Sequence, residues 1–168
     1  MAKEILKYLL LFVVLVIAQV VVFNHLSLFN VAIPLVFIYL IIKLPVDLSV
    51  NWTLSVAFFL GLAVDIFSNT QGVNALACTC TAGLRLPVLR LYFPREEDMS
   101  TPEPSFRTMG PGVDLKYLIT MVALYCLLFF MIEAFTFSNW LLMLLRAGAS
   151  TLLTFVILVA FDSLSGRR

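Results

Sequence analysis

The sequence predicts an all-α integral membrane protein, a bundle of six transmembrane helices, and three observations carry that reading. Of 168 residues, 62% are hydrophobic and 12% charged, and the mean hydropathy is +1.05. Soluble domains run about 45–50% apolar and about 25% charged, and a soluble core of this size would leave much of that apolar surface in water. The apolar residues also gather into six stretches near the ~20 residues that a ~30 Å hydrocarbon core requires. Finally, threading six spans from a cytoplasmic N-terminus puts ten of the eleven basic residues on the cytoplasmic side, as the positive-inside rule expects.

The first predicted helix covers residues 5–23. It is longer than the ~7–15 apolar residues of a secretory signal and meets no small-residue cleavage site, so a permanent helix is expected. The second covers about 28–44 and the third about 52–67; at ~1.5 Å per residue both are short for a span. The fourth, about 73–91, is the least apolar, with Ala75, Ala77, Cys78, Thr79, Cys80, Thr81, Ala82 and Gly83 nearly in succession. Small residues let helices approach closely in lipid, which predicts a central, lipid-shielded helix, bent near Pro87. The fifth and sixth, about 115–135 and 140–161, are long and strongly apolar. The whole chain, 1–168, is one transmembrane domain with both termini cytoplasmic, Trp52 at the inner interface and Trp140 at the outer one.

Residues 93–114 form the one sizeable polar segment. It holds Pro94, Pro102, Pro104 and Pro111, and carries more acidic than basic residues. Such a composition predicts a poorly packed cytoplasmic linker, either a spacer between helix groups or a tether for a cytoplasmic partner. The net charge of +1 gives no basic surface for nucleic acid. Cys78, Cys80 and Cys126 are odd in number and lie inside apolar stretches, so they read as packing residues rather than a disulfide framework.

Ionisable residues within spans are costly and therefore informative. Asp65, Glu133 and Arg146 all fall in the outer third of the predicted bilayer. Arg146 is expected to pair with Glu133, Asp65 or both; otherwise the carboxylates meet interfacial water. Enzyme machinery is not evident. The single histidine, His25, falls in a predicted outer loop, and Asp65 and Asp162 lie at opposite faces, too far apart for a shared-proton pair. Cys78 and Cys80 point about 200° apart on a helix, which is wrong for a metal site. The expectation is a protein without catalytic residues, metal or cofactor.

The stretch 34–85 carries the most specific pattern. Gly61-Leu62-Ala63-Val64-Asp65 closes the third helix, and Gly72 with Ala75 opens the fourth. Gly61 permits close helix contact, Asp65 can accept bonds from the following turn, and Gly72 frees the backbone before the next helix. Pro34, Pro45, the G-L-x-x-D run at 61–65, Gly72, Ala75 and Arg85, in that order, resemble the MreD family of rod shape-determining membrane proteins. Length and span number fit as well, although the linker is longer than is typical of the family.

That resemblance implies a non-enzymatic scaffold in the bacterial cytoplasmic (inner) membrane. Its implied partners are a single-span MreC-like protein and, indirectly, MreB filaments, the RodA glycan polymerase and the elongation transpeptidase. It leaves a homodimer open. It also implies a fold resembling the substrate-binding subunits of energy-coupling-factor transporters, so a vitamin-like solute binder is the rival expectation. Asn69, Gln71, Asn74, Tyr125 and Trp140 near the outer face would suit such a binder. Partner contact is expected at the hairpin tip 65–72 and on lipid-facing parts of the first two helices.

Overall fold

The computed structural model describes residues 2–23, 32–92, 111–133 and 140–165. They form α1 (Ala2–Val21), a 3-10 turn (Val36–Ile38) running into α2 (Tyr39–Lys43), α3 (Val50–Ser68), α4 (Val73–Tyr92), α5 (Pro111–Glu133) and α6 (Trp140–Ser165). Among the described residues, three helices are long and apolar enough to cross a membrane: α3, Gly112–Glu133 of α5, and Trp140–Ser163 of α6. α4 has the length but carries Asn74, Thr79, Thr81, Arg85 and Arg90, and the apolar part of α1 is shorter, Leu6–Val21.

Polarity is arranged for an apolar solvent. α6 buries Ala147, Ser150, Thr154, Leu158 and Asp162, a stripe repeating every three or four residues, and turns Leu141, Leu145, Leu152 and Val156 outward. α1 likewise buries Gln19 and exposes Leu6, Leu9, Leu10, Val13 and Ile17. In water such a surface would drive aggregation. In lipid, leucine faces the tails at no cost, and the polar groups must find partners inside the protein.

Helices adjacent in sequence pack as neighbours, α3 on α4, α4 on α5 and α5 on α6, while α1 lies against α3 and the 36–43 segment. α5 contributes the largest share of the core, through Leu118, Met121, Val122, Tyr125, Cys126, Phe129 and Phe130. Their three- and four-residue spacing defines one apolar face. The ring of Tyr125 meets Phe37 edge-on at 5.7 Å between centroids, a favoured aromatic geometry.

The structure corrects the expectation for the second helix. Regular helix covers only residues 36–43; residues 33–35 are extended, and 24–31 lie outside the described residues. Pro34 supplies the reason. It has no N–H to offer a helix, and it disfavours helical geometry in the residue before it. This short segment is also the centre of the bundle, the position expected for the fourth helix. Phe37, Ile38, Ile41 and Ile42 are fully buried, whereas α4 keeps Leu76, Leu84 and Leu91 exposed. α4 runs through Pro87 as a single helix.

The linker is shorter than expected as well. α5 begins at Pro111, a residue well suited to the first helical position, so 111–114 are helical. The remainder, 93–110, and His25 lie outside the described residues.

Candidate functional site: buried polar networks and a lateral groove

Among the described residues, polar side chains gather at three places along the bundle. The first is the turn between α3 and α4. α3 ends on Asn69, which adopts a left-handed conformation (φ 56°) and donates its N–H to the carbonyl of Asp65. Asparagine tolerates this conformation better than most residues. Gly72 follows at φ 79°, where a side chain would be strained. The chain then re-enters the bundle as α4, and the Asp65 carboxylate caps it. Asp65 Oδ1 accepts the backbone N–H of Asn74 at 3.1 Å and its side-chain Nδ2 at 2.9 Å, and Oδ2 accepts the N–H of Ala75 at 2.8 Å. The Thr70 hydroxyl also donates to Oδ1. Asn74 Oδ1 in turn accepts the Tyr125 hydroxyl at 2.8 Å, which ties the turn to α5.

Gly61 sits one helical turn before Asp65, on the same face of α3. A Cβ built on Gly61 would stand 2.5 Å from both the Ala75 Cα and the Asn74 carbonyl oxygen. Only glycine lets α3 come this close to the first turn of α4. Asp65 is therefore buried and fully engaged, where interfacial water or a partner in Arg146 was expected. Asn74 and Tyr125, two of the groups proposed for solute binding, are committed to each other.

The second place is the extended stretch. With no helix to accept them, its backbone groups turn to side chains from two other elements. Ser150 accepts the N–H of Ile33 and Thr154 that of Leu35, both at 3.0 Å. Gln19 works both ways, donating Nε2 to the Pro34 carbonyl at 2.9 Å and accepting the Val36 N–H at 3.0 Å. Non-helical backbone at membrane depth persists only where protein groups pair it. None of the three was expected from sequence to pair backbone groups. Their signal is spacing: a lone amide in an apolar helix, and a serine and threonine four apart on a leucine-rich one.

The third place joins the start of α1, the end of α2, the start of α5 and the end of α6. Lys43 Nζ lies 3.0 Å from Asp162 Oδ2 and 3.4 Å from Asp114 Oδ2. Tyr39 donates its hydroxyl to Asp162 Oδ1 at 3.0 Å, and Tyr8 reaches the Lys43 carbonyl at 3.5 Å. Close by, the Arg85 guanidinium donates to two backbone carbonyls just past the end of α2, those of Leu44 and Pro45. Arg85 is 1% exposed, and its Nε, the Asp114 Oδ1 and the Tyr117 hydroxyl are buried without protein partners. From sequence, Lys43 counts among the cytoplasmic-side basic residues, Asp114 falls in the polar linker, and Asp162 lies at the membrane face opposite Asp65. Their convergence depends on where three separate elements begin or end, which no local pattern encodes.

Glu133 is exposed at the end of α5, and Arg146 is half-buried on α6. No ion pair joins Arg146 to Asp65 or Glu133 among the described residues, and its Nε has no partner. The expected tie between the last two helices and α3 is thus absent; the Tyr125–Asn74 bond links α5 to the turn instead. Cys78 and Cys126 are buried, Cys80 is exposed, and all three are free thiols.

A cavity of about 750 Å³ forms a lateral groove between the first halves of α1 and α3 with α2 as its floor. All nine residues lining it are apolar or aromatic, among them Phe12, Leu40, Leu44 and Trp52. Compared with known proteins, the chain matches no family model, no curated protein and no solved structure.

Proposed function

We propose that this protein is a non-enzymatic scaffold of the bacterial cell-elongation machinery, a six-span MreD-like subunit of the cytoplasmic membrane with both termini in the cytoplasm. It binds a single-span MreC-like partner and, through it, influences cell shape and peptidoglycan synthesis. One observation carries this reading: the residues of the MreD-like pattern act on the protein's own backbone. Gly61 and Ala75 bring α3 against α4, Asp65 caps α4, Gly72 makes the turn, Pro34 opens the central segment, and Arg85 holds that segment's other end. A pattern of this kind preserves a shape, and a shape presented to neighbours is what a scaffold needs.

Depletion in the bacterium that carries the gene tests the proposal. Rod-shaped cells should widen and round up as the protein disappears. Cells that keep their shape but lose uptake of a vitamin-like solute would support the rival transporter subunit and overturn the scaffold.

A further inference from the structure

We propose that the lateral groove between α1 and α3 is a binding site for one phospholipid acyl chain. Its depth comes from the central segment. Leu40 and Leu44 form a floor that is almost completely buried, Phe12, Leu48 and Val56 form half-buried walls, and Trp52 stands exposed at the rim. This concavity opens sideways from a helix, α3, that is itself apolar and long enough to span a membrane. It therefore faces lipid. Water gains nothing there, because an apolar site offers it none of the two to four partners it needs.

Extent decides between the apolar occupants. Along α3 the groove runs from Trp52 to Phe59, about 10 Å at ~1.5 Å per residue. The next inward-facing residues of α1, Leu15 and Val16, are already buried, which closes its deep end. A partner helix crossing the ~30 Å core would need a seam about three times as long. A chain from a single leaflet enters at one interface and ends within that leaflet, as the groove does. The rim fits such an entry. Trp52 is an amphipathic ring of the kind that sits at headgroup level, and Tyr8 beside it turns its hydroxyl to the Lys43 carbonyl. The Tyr8 ring is left to the groove.

The test is photolabelling of the intact protein in phosphatidylcholine vesicles doped with phosphatidylcholine bearing a diazirine in one acyl chain. Ordinary lipid contact follows exposure, so Leu152 and Val156, which are 62% and 63% exposed, would label most heavily. A bound chain reverses that order, and adducts should concentrate several-fold on Phe12, Leu48 and Val56. Filling the groove with Val56→Trp should then return Phe12 and Leu48 to low labelling while Leu152 is unchanged. Labelling of the wild-type protein that simply tracks exposure would overturn the proposal. So would a groove shielded from lipid by a second copy or a co-purified helix. Labelling that tracks exposure leaves the scaffold role untouched, whereas shielding by a co-purified single-span helix would support that role while overturning the lipid site.

Discussion

At the scale of single residues, the turn between α3 and α4 is the most constrained part of the molecule. Gly61→Ala places a methyl against backbone atoms 2.5 Å away, and backbone cannot move aside as a flexible side chain can. The expected loss is about 1–3 kcal/mol, read from reversible unfolding in mixed micelles. Asp65→Ala removes the acceptor for two buried backbone donors and should cost about 2 kcal/mol or more. Asp65→Asn keeps an oxygen for one of them and should fall in between. If the alanine variant were as stable as wild type, the capping role of Asp65 would be wrong. Much of this turn was legible in advance. Gly61, Asp65, Gly72 and Ala75 stand out because each solves a local backbone problem within fifteen residues of chain. Of the two directions the sequence left open to Asp65, it turns in to its own hairpin rather than out to Arg146.

At the scale of elements, the central segment is the principal departure from expectation. An apolar run ending in Lys43 resembles any other span by composition; only Pro34 hints that its first half is not helical. The extended backbone is affordable because Gln19, Ser150 and Thr154 pair it, and those residues lie 15 to 119 positions away in sequence. Local propensity cannot report such partners. Replacing Ser150 by Ala, or Thr154 by Val, orphans one buried N–H each, with an expected cost of about 1–3 kcal/mol. Both changes leave the exposed leucine face of α6 untouched. Because the two hydroxyls hold residues two apart on one short non-helical stretch, the double variant should deviate from additivity by about 0.5 kcal/mol or more. Strict additivity would mean that the stretch is not held as a unit.

At the scale of the whole molecule, three nearly buried charges converge at one end of the bundle. Lys43, Asp114 and Asp162 join α2, α5 and α6, and Tyr8 of α1 reaches the Lys43 carbonyl. Lys43→Met would leave two nearly buried carboxylates facing each other, and should cost about 3–5 kcal/mol. Replacing all three together by apolar residues should restore most of that, because a buried ion pair is worth little against a well-packed apolar set. Recovery of folded protein in membranes, followed by detergent gel filtration, checks both. The succession of apolar helices was readable from hydropathy, yet the three-way junction was not, since it requires knowing where α2, α5 and α6 place their ends.

The same arrangement gives the molecule its character: an apolar exterior, an interior whose polar groups mostly serve the backbone, and one lipid-facing groove. Its central claim, that it works by holding a membrane partner, is tested most directly by affinity purification from its native membrane with mass-spectrometric identification of what accompanies it. A single-span MreC-like protein in near-stoichiometric amount is the predicted result. A pair of ATPases carrying a retained vitamin-like solute would contradict the account.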